Sequence, residues 1–305
     1  MTPSELHSLL PDLATFASVV EAGNFSSAAR LLGTTPSTVS RQMQRLERAL
    51  GVKLLERSTR SLRLTESGTQ VYHYCHNMVH SAADAVDTAG HLSAEAHGRV
   101  SVSAPIAYAK SVVHPLIDGF LRAHPRVQVQ LFFEDREVDP VRDPIDLVLR
   151  PTPTPPPGLI ARQLGTVRWL LCASPAYLRE RGIPEEPEAL RQHDCLQLGD
   201  HANDGKWIFR RGTQMHTVEV HGRYIVNDVS ARTDATLSGW GIASLPDYAV
   251  KDFLREGSLR QVLSDWSFEP RVYSGPVWLL YPRNRFLPLK VRVMIDWLTE
   301  RLSGS

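Results

Sequence analysis

The pattern of hydrophobic and polar positions is clearest in residues 26–65, where two short helical patterns flank a glycine turn and an alternating pattern follows. In the second helical pattern, apolar side chains recur at spacings of four, three and four residues, at Val39, Met43, Leu46 and Leu50. This spacing predicts an amphipathic helix with one narrow apolar stripe. Thr35 suits its N-cap, and Pro36 suits the first helical position because no backbone N–H is needed there.

Two further helices are predicted before this one. The nearer begins at Ser26 and ends before Gly33, which stands where a helix end favours a residue with positive φ. The earlier one runs from about Ser8 to Glu21, with apolar residues at helical spacing on one face. Helices of these lengths can share one small core, and the short turn between the last two is typical of a helix-turn-helix.

A short hairpin is predicted after Gly51. Leu62 and Leu64 alternate with polar residues as in a strand, and residues 58–60 form the expected turn. A hairpin that follows a helix-turn-helix predicts a winged helix-turn-helix, a fold that lies on double-stranded DNA.

Charge and side-chain type around the third predicted helix agree with a DNA partner. Between residues 41 and 63, seven basic and two acidic residues give a net charge of +5, whereas the whole chain carries +1. Such a concentration is what contact with phosphates requires. The helix face opposite the apolar stripe comprises Ser37, Ser40, Arg41, Gln44 and Arg48. Arginine and glutamine pair with base edges, so the pattern favours a DNA-reading helix over a merely solvated one.

A long helix is predicted after the hairpin, over residues 66–97. Its small and apolar positions alternate spacings of four and three as in a heptad seam: Val71, Cys75, Met78, Ala82, Ala85, Ala89, Leu92 and Ala96. The seam can pack on its own domain or on the same helix of a second subunit. No partner lies nearby in the sequence, which favours the second interpretation and a homodimer. His76 and His80 are spaced to chelate a metal, but no third ligand is evident, and we predict no metal site.

The remainder of the chain has an α/β pattern. Residues 100–102 alternate as a strand, a helix is predicted from Val112 to Ala123, and residues 127–133 alternate again. Strand, helix and strand in this order predict parallel pairing and a doubly wound sheet. Further short strands are predicted over residues 145–149, 167–172, 242–245 and 277–281, with helices over 231–238 and near the chain end.

Length and composition indicate a globular protein of two or three domains, with 305 residues of which 42% are hydrophobic. The cysteines, Cys75, Cys172 and Cys195, are odd in number and far apart, which argues against a disulfide framework and fits a reducing compartment. We expect no signal peptide and no membrane span, because neither an apolar leader nor an apolar run of membrane length occurs. These features predict a cytoplasmic protein.

Motifs of α/β enzymes are not found. There is no G-x-S-x-G, and Gly239-Trp240-Gly241 precedes a strand rather than a helix, the wrong order for a dinucleotide site. We predict no catalytic residue and no cofactor. The alternative left open is an α/β enzyme or ligand-binding protein with an appended DNA-binding domain, whereas a purely architectural DNA-binding protein would not need the α/β half.

The N-terminal segment resembles the DNA-binding domain of LysR-type transcriptional regulators. The matching residues are Phe25, Ala28, Ala29, Leu32, the run 36–42, Leu46, Glu47, Leu50, Gly51, Leu54, Glu56, Arg57, Leu64, Thr65 and Gly68. The resemblance implies that Pro36, Ser37, Ser40 and Arg41 approach base edges. It also implies that Arg57, Thr59 and Arg60 hold phosphates on the wing. Many members of that family have glutamine in place of Pro36, so one base contact is absent here.

The second half resembles the effector-binding domain of the same family, in the segments 103–105, 145–150, 171–178, 239–250 and 287–292. That fold has two α/β lobes joined by two crossings, similar to periplasmic binding proteins. The implied division is a DNA-binding domain (1–65), a linker and dimerisation helix (66–97) and an effector-binding domain (98–305). Lobe 1 would take about 98–165 and 270–305, and lobe 2 about 166–269. The resemblance also implies a homotetramer and contact with RNA polymerase.

A small, anionic or aromatic effector is expected beyond the carboxyl ends of the strands, where ligands of open α/β sheets bind. The candidate residues are Ser103, Ala104, Pro105, Phe133, Glu134 and Arg150 in lobe 1, with Leu198, His201 and Val229 in lobe 2. Ser103 and the N–H groups of a following helix can hold an anion, and Arg150 can pair with a carboxylate. The alternatives are that Ser103 only caps a helix and that Arg150 only forms a surface ion pair.

Overall fold

A computed structural model of the chain describes residues 2–57, 62–89, 95–140, 143, 145–199, 203–270, 274–283 and 287–303. The chain forms two compact units. Residues 1–94 and 141–144 form the first unit, and residues 95–140 and 145–305 form the second.

The described elements of the first unit are α1 (Pro3–Ala22), α2 (Phe25–Leu31), α3 (Pro36–Leu50), β1 (Leu55–Arg57), β2 (Leu62–Leu64) and α4 (Glu66–Ala89). Side-chain caps fix where the helices begin. Thr35 accepts a hydrogen bond from the backbone N–H of Thr38 at the start of α3. A capping box between Thr2 and Glu5 starts α1 at Pro3, five residues before the position that apolar spacing alone predicts.

The core of the first unit confirms the predicted stripe of α3. Val39, Met43 and Leu46 are buried in one cluster with apolar residues of the earlier helices, among them the fully buried Phe16 of α1. Strand β1 pairs with β2 in an antiparallel hairpin, with Leu55 opposite Leu64. These elements form the winged helix-turn-helix that the sequence predicts.

The long seam of α4 divides between two environments. Cys75 is buried in the first unit's core and Val71 packs against it, whereas Ala82 and Ala85 are exposed. Ala96 is buried in the core of the second unit and stands outside any helix, so the prediction of one continuous seam is wrong at this residue. Leu92 lies outside the described residues. The part that packs on its own domain is therefore the N-terminal part.

The described elements of the second unit are, in chain order, β3 (Gly98–Ala104), α5 (Ile106–Tyr108), a π-helical turn (Ala109–Val113), α6 (His114–Ala123), β4 (Val127–Phe133), β5 (Leu147–Pro151), β6 (Leu159–Val167), β7 (Trp169–Ala173), α7 (Pro175–Arg181), a 3-10 helix (Pro187–Gln192), β8 (Cys195–Leu196), β9 (Lys206–Arg211), β10 (Gln214–Glu219), α8 (Val229–Leu237), β11 (Ile242–Pro246), α9 (Asp247–Glu256), β12 (Arg260–Val262), β13 (Ser267–Phe268), β14 (Gly275–Pro282) and α10 (Leu289–Leu302).

Two main sheets define two lobes. The sheet of lobe 1 has the strand order β4-β3-β5-β14-β6, and that of lobe 2 has the order β12-β7-β11-β8. Strand β3 is parallel to β4 and β5, as strand–helix–strand order predicts. Strand β14 is antiparallel to β5 and β6, and β7 is antiparallel to β11, so both sheets are mixed, and parallel pairing holds for the strand–helix–strand unit from which it was predicted. At the crossing from lobe 1 to lobe 2, a single residue separates β6 from β7, so no helix intervenes between these two strands.

A third, antiparallel sheet with the order β10-β9-β13 completes lobe 2. Each lobe has its own core, centred in lobe 1 on the central strands and α10, and in lobe 2 on β7, β9 and β11. Across the described ranges, no helix combines the length and the apolarity that crossing a bilayer requires.

Candidate DNA interface and effector site

The outer face of α3 is open on the first unit. Pro36, Ser37, Arg41 and Gln44 are exposed, and Ser40 is half-buried. Small hydroxyl side chains therefore occupy the N-terminal end of the helix, and larger polar ones follow. A helix of this kind can bring its N-terminal turns close to a major groove, where arginine and glutamine can donate to base edges.

An ion pair inside the first unit fixes α3 against α1. Arg45 of α3 donates from Nε to Oδ2 of Asp12 at 2.5 Å and from Nη2 to Oδ1 at 2.6 Å. The Asp12 side chain is fully buried, whereas 60% of the Arg45 side chain is exposed. The hydrogen bonds and negative charge of Asp12 raise the pKa of Arg45 above its ordinary value. The sequence identifies Arg45 only as one of the basic residues around α3, because the burial of Asp12 depends on how α1 and α3 pack.

A second carboxylate connects α3 to the wing. The nearly buried Glu47 accepts hydrogen bonds from the backbone N–H groups of Leu54 (2.9 Å) and Leu55 (3.3 Å) and from Nζ of Lys53 (2.7 Å). Burial raises the pKa of Glu47, but the hydrogen bonds from these three residues and the charge of Lys53 outweigh it and hold the pKa below its ordinary value. The start of β1 is thereby tied to the recognition helix.

The predicted wing contacts lie largely outside the described residues. The backbone of Arg57 ends β1, whereas Thr59 and Arg60 fall within residues 58–61. In the sequence, those residues lie between β1 and β2.

In lobe 1, the candidate effector residues gather at one sheet edge. Ala104, at the end of β3, lies opposite Phe133, at the end of β4, and Ser103 lies opposite Val148 of β5. Ser103, Ala104 and Pro105 are buried, whereas Phe133 is exposed by 39%. The strand register therefore brings the predicted positions of three strands together.

The helix that follows this edge does not present an open anion site. It begins at Ile106 rather than near Val112, and the N–H of Ile106 donates to Oδ1 of Asp135 at 3.1 Å. The prediction of unoccupied N–H groups is thus wrong at this position, because a carboxylate of the protein already stands there. Asp135 follows a different strand, so helix-start signals near Ser103 could not indicate it.

Arg150 points toward the loop after β4. Its Nη1 donates to the carbonyl oxygen of Arg136 at 3.4 Å, and its Nη2 lies 3.8 Å from Oε1 of Glu137. Glu134, another candidate, forms an ion pair with Arg136. Both predicted residues therefore belong to one network of alternating charges at the edge of lobe 1.

The facing edge of lobe 2 is rich in aromatic side chains. Leu198 lines a shallow surface depression, together with Trp169, Asn203, Asp204, Lys206, Trp207, Ser244, Phe268, Glu269 and Pro270. Trp169 follows Val167, the last residue of β6, by only two positions, so the edges of the two sheets meet at this crossing. Val229 is the half-buried first residue of α8. His201 lies outside the described residues.

One aromatic contact joins the lobes and a second contact lies beside their crossing, within lobe 2; local sequence patterns predict neither. Tyr108 of lobe 1 and Tyr248 of lobe 2 pack edge to face, with ring centroids 5.3 Å apart. Arg232 of α8 is fully buried, with its guanidinium carbon 5.6 Å from the centre of the Trp169 ring. Burial raises the pKa of both tyrosines, so their hydroxyl groups stay neutral near neutral pH.

The cysteines have no redox partner within bonding reach. Cys75, Cys172 and Cys195 are all buried and free of disulfides. Burial raises the pKa of Cys75 to about 11 and that of Cys172 to about 12. Their thiols are therefore protonated near neutral pH and poorly reactive.

An exposed, cationic recognition helix in one unit and a two-lobed α/β fold in the other define a DNA-binding regulator with a ligand-binding domain. Residues 10–69 match the family model described as "Bacterial regulatory helix-turn-helix protein, lysR family", and residues 93–303 match the model of the "LysR substrate binding domain". The chain belongs to the LysR family of transcriptional regulators, which confirms the resemblance seen in the sequence.

Relatives match along nearly the whole chain. A probable HTH-type transcriptional regulator, LtrA of Klebsiella pneumoniae, is 44% identical over 292 residues, which span 96% of this chain and 94% of the relative. Among solved structures, the full-length virulence activator AphB of Vibrio cholerae is similar with a TM-score of 0.62 and 31% identity, covering 96% of this chain and 99% of the other. CrgA of Neisseria meningitidis, a LysR-type regulator, is similar with a TM-score of 0.62 and 29% identity, covering 97% and 99%.

Proposed function

We propose that this protein reads one operator sequence in double-stranded DNA through α3, and that a small effector bound between the lobes of the second unit sets its affinity for that operator. The observation that supports this most strongly is the outer face of α3, where exposed Ser37, Arg41 and Gln44 stand clear of the core. The role is that of a regulator rather than of an enzyme, and it is exercised in the cytoplasm, where bacterial DNA lies.

The DNA-binding residues are assigned by type and position. Pro36, Ser37, Ser40, Arg41 and Gln44 approach base edges. Arg57, Thr59 and Arg60 bind phosphates from the wing, as their sequence positions at the end of β1 and before β2 favour. Base contacts specify the sequence, whereas phosphate contacts position the protein.

The effector site is assigned to the facing edges of the lobes. Lobe 1 contributes Ser103, Ala104, Pro105, Phe133, Glu134 and Arg150, and lobe 2 contributes Leu198, His201 and Val229. Indole and phenyl side chains beside Leu198 favour an aromatic effector, because rings pack well against one another. Asp135 at the N–H of Ile106 disfavours an anion there, so Arg150 is the better partner for an acidic group of the effector.

The assembly is proposed to be a homodimer built on α4, with a homotetramer and RNA polymerase as further partners. Exposed apolar side chains support the dimer, since Tyr74 and Val86 of α4 are exposed by 77% and 71%. The division into residues 1–65, 66–97 and 98–305 is kept as part of this proposal.

A selection experiment tests the proposed function. The full-length protein would be used to enrich binding sites from random duplexes, and its affinity for the enriched site and for a scrambled duplex would be measured over a range of salt. A metabolite panel, first screened by thermal shift, would then be added to the binding assay. Enrichment of one sequence and a change in its affinity with a screened compound are expected; equal affinity for both duplexes would contradict the proposal.

A further inference from the structure

The ion pair between Asp12 and Arg45 joins a fully buried group to an exposed one. Asp12 lies on α1 and is fully buried. Both of its carboxylate oxygens accept hydrogen bonds from the guanidinium of Arg45, at 2.5 and 2.6 Å. Two parallel hydrogen bonds fix direction as well as distance, because the planar fork of arginine matches a carboxylate in only one orientation. The pair therefore restrains the rotation of α3 about its own axis as well as its distance from α1.

The place of Arg45 on α3 makes this restraint relevant to DNA reading. At about 100° per residue, Arg41, Arg45 and Arg48 lie within roughly 60° of one another around the helix. By position alone, each of the three is a candidate phosphate contact. Arg45 differs because its Nε and Nη2 already point inward to Asp12, and the neighbouring Gln44 and Arg41 point outward from the same turn of helix.

The charge of the pair supports the same distinction. Asp12 cancels the positive charge of Arg45 at hydrogen-bond distance, so the pair as a whole is neutral toward phosphates. A neutral pair releases no counterion when DNA binds, whereas a phosphate-binding arginine releases about one. The count of basic residues around α3 thus overstates the charge that can reach the DNA.

We propose that Asp12 and Arg45 act as a positioning pair that sets the orientation in which α3 presents Arg41 and Gln44 to base edges, and that Arg45 is not a phosphate contact. This inference rests on the proposed DNA-reading role of α3. Neither residue of the pair touches a base. Their effect is on discrimination between sequences rather than on general affinity for DNA.

The test uses full-length variants, the duplex that the wild-type protein enriches from a random pool, and a scrambled duplex. Arg45→Lys keeps the positive charge but removes the planar guanidinium, so the two parallel hydrogen bonds to Asp12 are lost. The double variant Asp12→Asn/Arg45→Gln keeps the net charge and a hydrogen bond without a buried charge. Arg48→Gln is the matched control, because it removes a cation from the same side of the helix.

For Arg45→Lys, affinity for the enriched site should fall about tenfold while affinity for the scrambled duplex changes less than about twofold, since a fork contact is lost and a charge is retained. The double variant should also bind the enriched site less tightly relative to the scrambled duplex. Its slope of log affinity against log salt concentration should be unchanged. Arg48→Gln should weaken binding to both duplexes and lower the slope by about one. Partial unfolding would reduce the active fraction on both duplexes equally, so the ratio of affinities isolates positioning.

Three results would overturn the inference. The first is wild-type discrimination by Arg45→Lys. The second is a salt slope of the double variant that is lowered as in Arg48→Gln. The third is failure of both variants to fold by circular dichroism, which would make the pair a general stabiliser. The proposed function fails separately, if the wild-type protein enriches no site or if Arg41→Ala weakens binding to both duplexes equally.

Discussion

Tyr108 and Tyr248 hold the two lobes of the second unit together by an edge-to-face contact, with ring centroids 5.3 Å apart. Tyr108 ends the short helix that follows β3, and Tyr248 lies in the first turn of α9, so each ring follows a strand edge assigned to the effector site. A molecule that changes the separation of these edges must change this contact. The pair is therefore a direct reporter of the relation between the lobes.

The strength of this contact can be measured by a double-variant cycle of Tyr108→Leu and Tyr248→Leu. We expect a coupling free energy of about 0.5–1.5 kcal/mol, the range of aromatic pairs beyond simple burial. All six tryptophans of the chain lie in the second unit, so tryptophan fluorescence during urea unfolding reports on that unit alone. Additive effects of the two substitutions would show that the rings do not interact energetically.

Glu47 should make the stability of the DNA-binding unit depend on pH. Its folded pKa is depressed, so it stabilises the fold above its unfolded pKa, near 4.5, and this contribution is lost as pH falls through the folded value. Glu47→Gln should cost about 1–3 kcal/mol near neutral pH, because charged hydrogen bonds to Lys53 and the wing are weakened. It should also flatten the acid limb of the stability curve.

Helical circular dichroism during denaturation at several pH values would measure this effect. Glu56→Gln, a substitution of a carboxylate on the neighbouring strand, serves as the control. If the Glu47 variant lost as much stability below pH 4.5 as the wild type does, the carboxylate would have no linkage to folding.

The fold could be predicted from the sequence wherever short-range patterns decide it. The stripe of Val39, Met43 and Leu46, with its Thr35 cap, depends on neighbours within a few residues and was found at the predicted place. The antiparallel pairing of β14 with β5 and β6 joins segments more than a hundred residues apart. No local pattern encodes that partner, so the sequence predicts the parallel pairing of a strand–helix–strand unit but not the orientation of β14.

The features of the candidate sites could likewise be predicted only where short-range patterns decide them. Exposure of Arg41 and Gln44 follows from helical periodicity, which the sequence contains. The pairing of Asp12 with Arg45, 33 residues apart, and of Asp135 with the N–H of Ile106, 29 residues apart, depends on how elements pack. Residue type alone therefore suggested an anion site at the start of a helix that the folded chain fills with its own carboxylate.

Dimerisation through α4 is tested by placing charges on its exposed side. Met78→Asp combined with Ala85→Asp should separate the subunits, because like charges would face one another across a close helix contact. Sedimentation at micromolar concentration should then give a monomer, while Gln70→Asp, on the same helix, should leave the assembly intact. A wild-type protein that is already monomeric under these conditions would contradict the α4 interface.

Filling the effector site should abolish the effect of the ligand on DNA affinity. Ser103→Trp places an indole at the buried edge of lobe 1, so it should abolish the response to a compound found by thermal shift while basal DNA affinity stays within about twofold. Ser111→Trp, at an exposed position of the same lobe, should keep the response. An unchanged affinity of the Ser103 variant for the compound would place the site elsewhere.

Operator binding and effector binding must also influence one another by the same factor. The affinity of the compound for the free protein and for the protein–operator complex would be compared with the affinity of the operator in its presence and absence. Factors that differ beyond experimental error would mean that the compound acts on something other than this DNA equilibrium.

The proposed phosphate contact of the wing gives a prediction that is separate from the one for α3. Arg60→Ala should weaken binding to the enriched site and to a scrambled duplex alike and lower the salt slope by about one, as loss of one phosphate contact requires. Salt titrations followed by fluorescence anisotropy give both quantities. A loss confined to the enriched site would instead make Arg60 a base contact.

The central claim, that α3 reads DNA sequence, is tested most directly by the affinities of Arg41→Ala for the enriched site and for a scrambled duplex. Arg41 is exposed on the outer face of α3, clear of the core. The variant should lose about 1–3 kcal/mol on the enriched site and little on the scrambled one, as expected for a base-edge contact. An equal loss on both duplexes would contradict the claim.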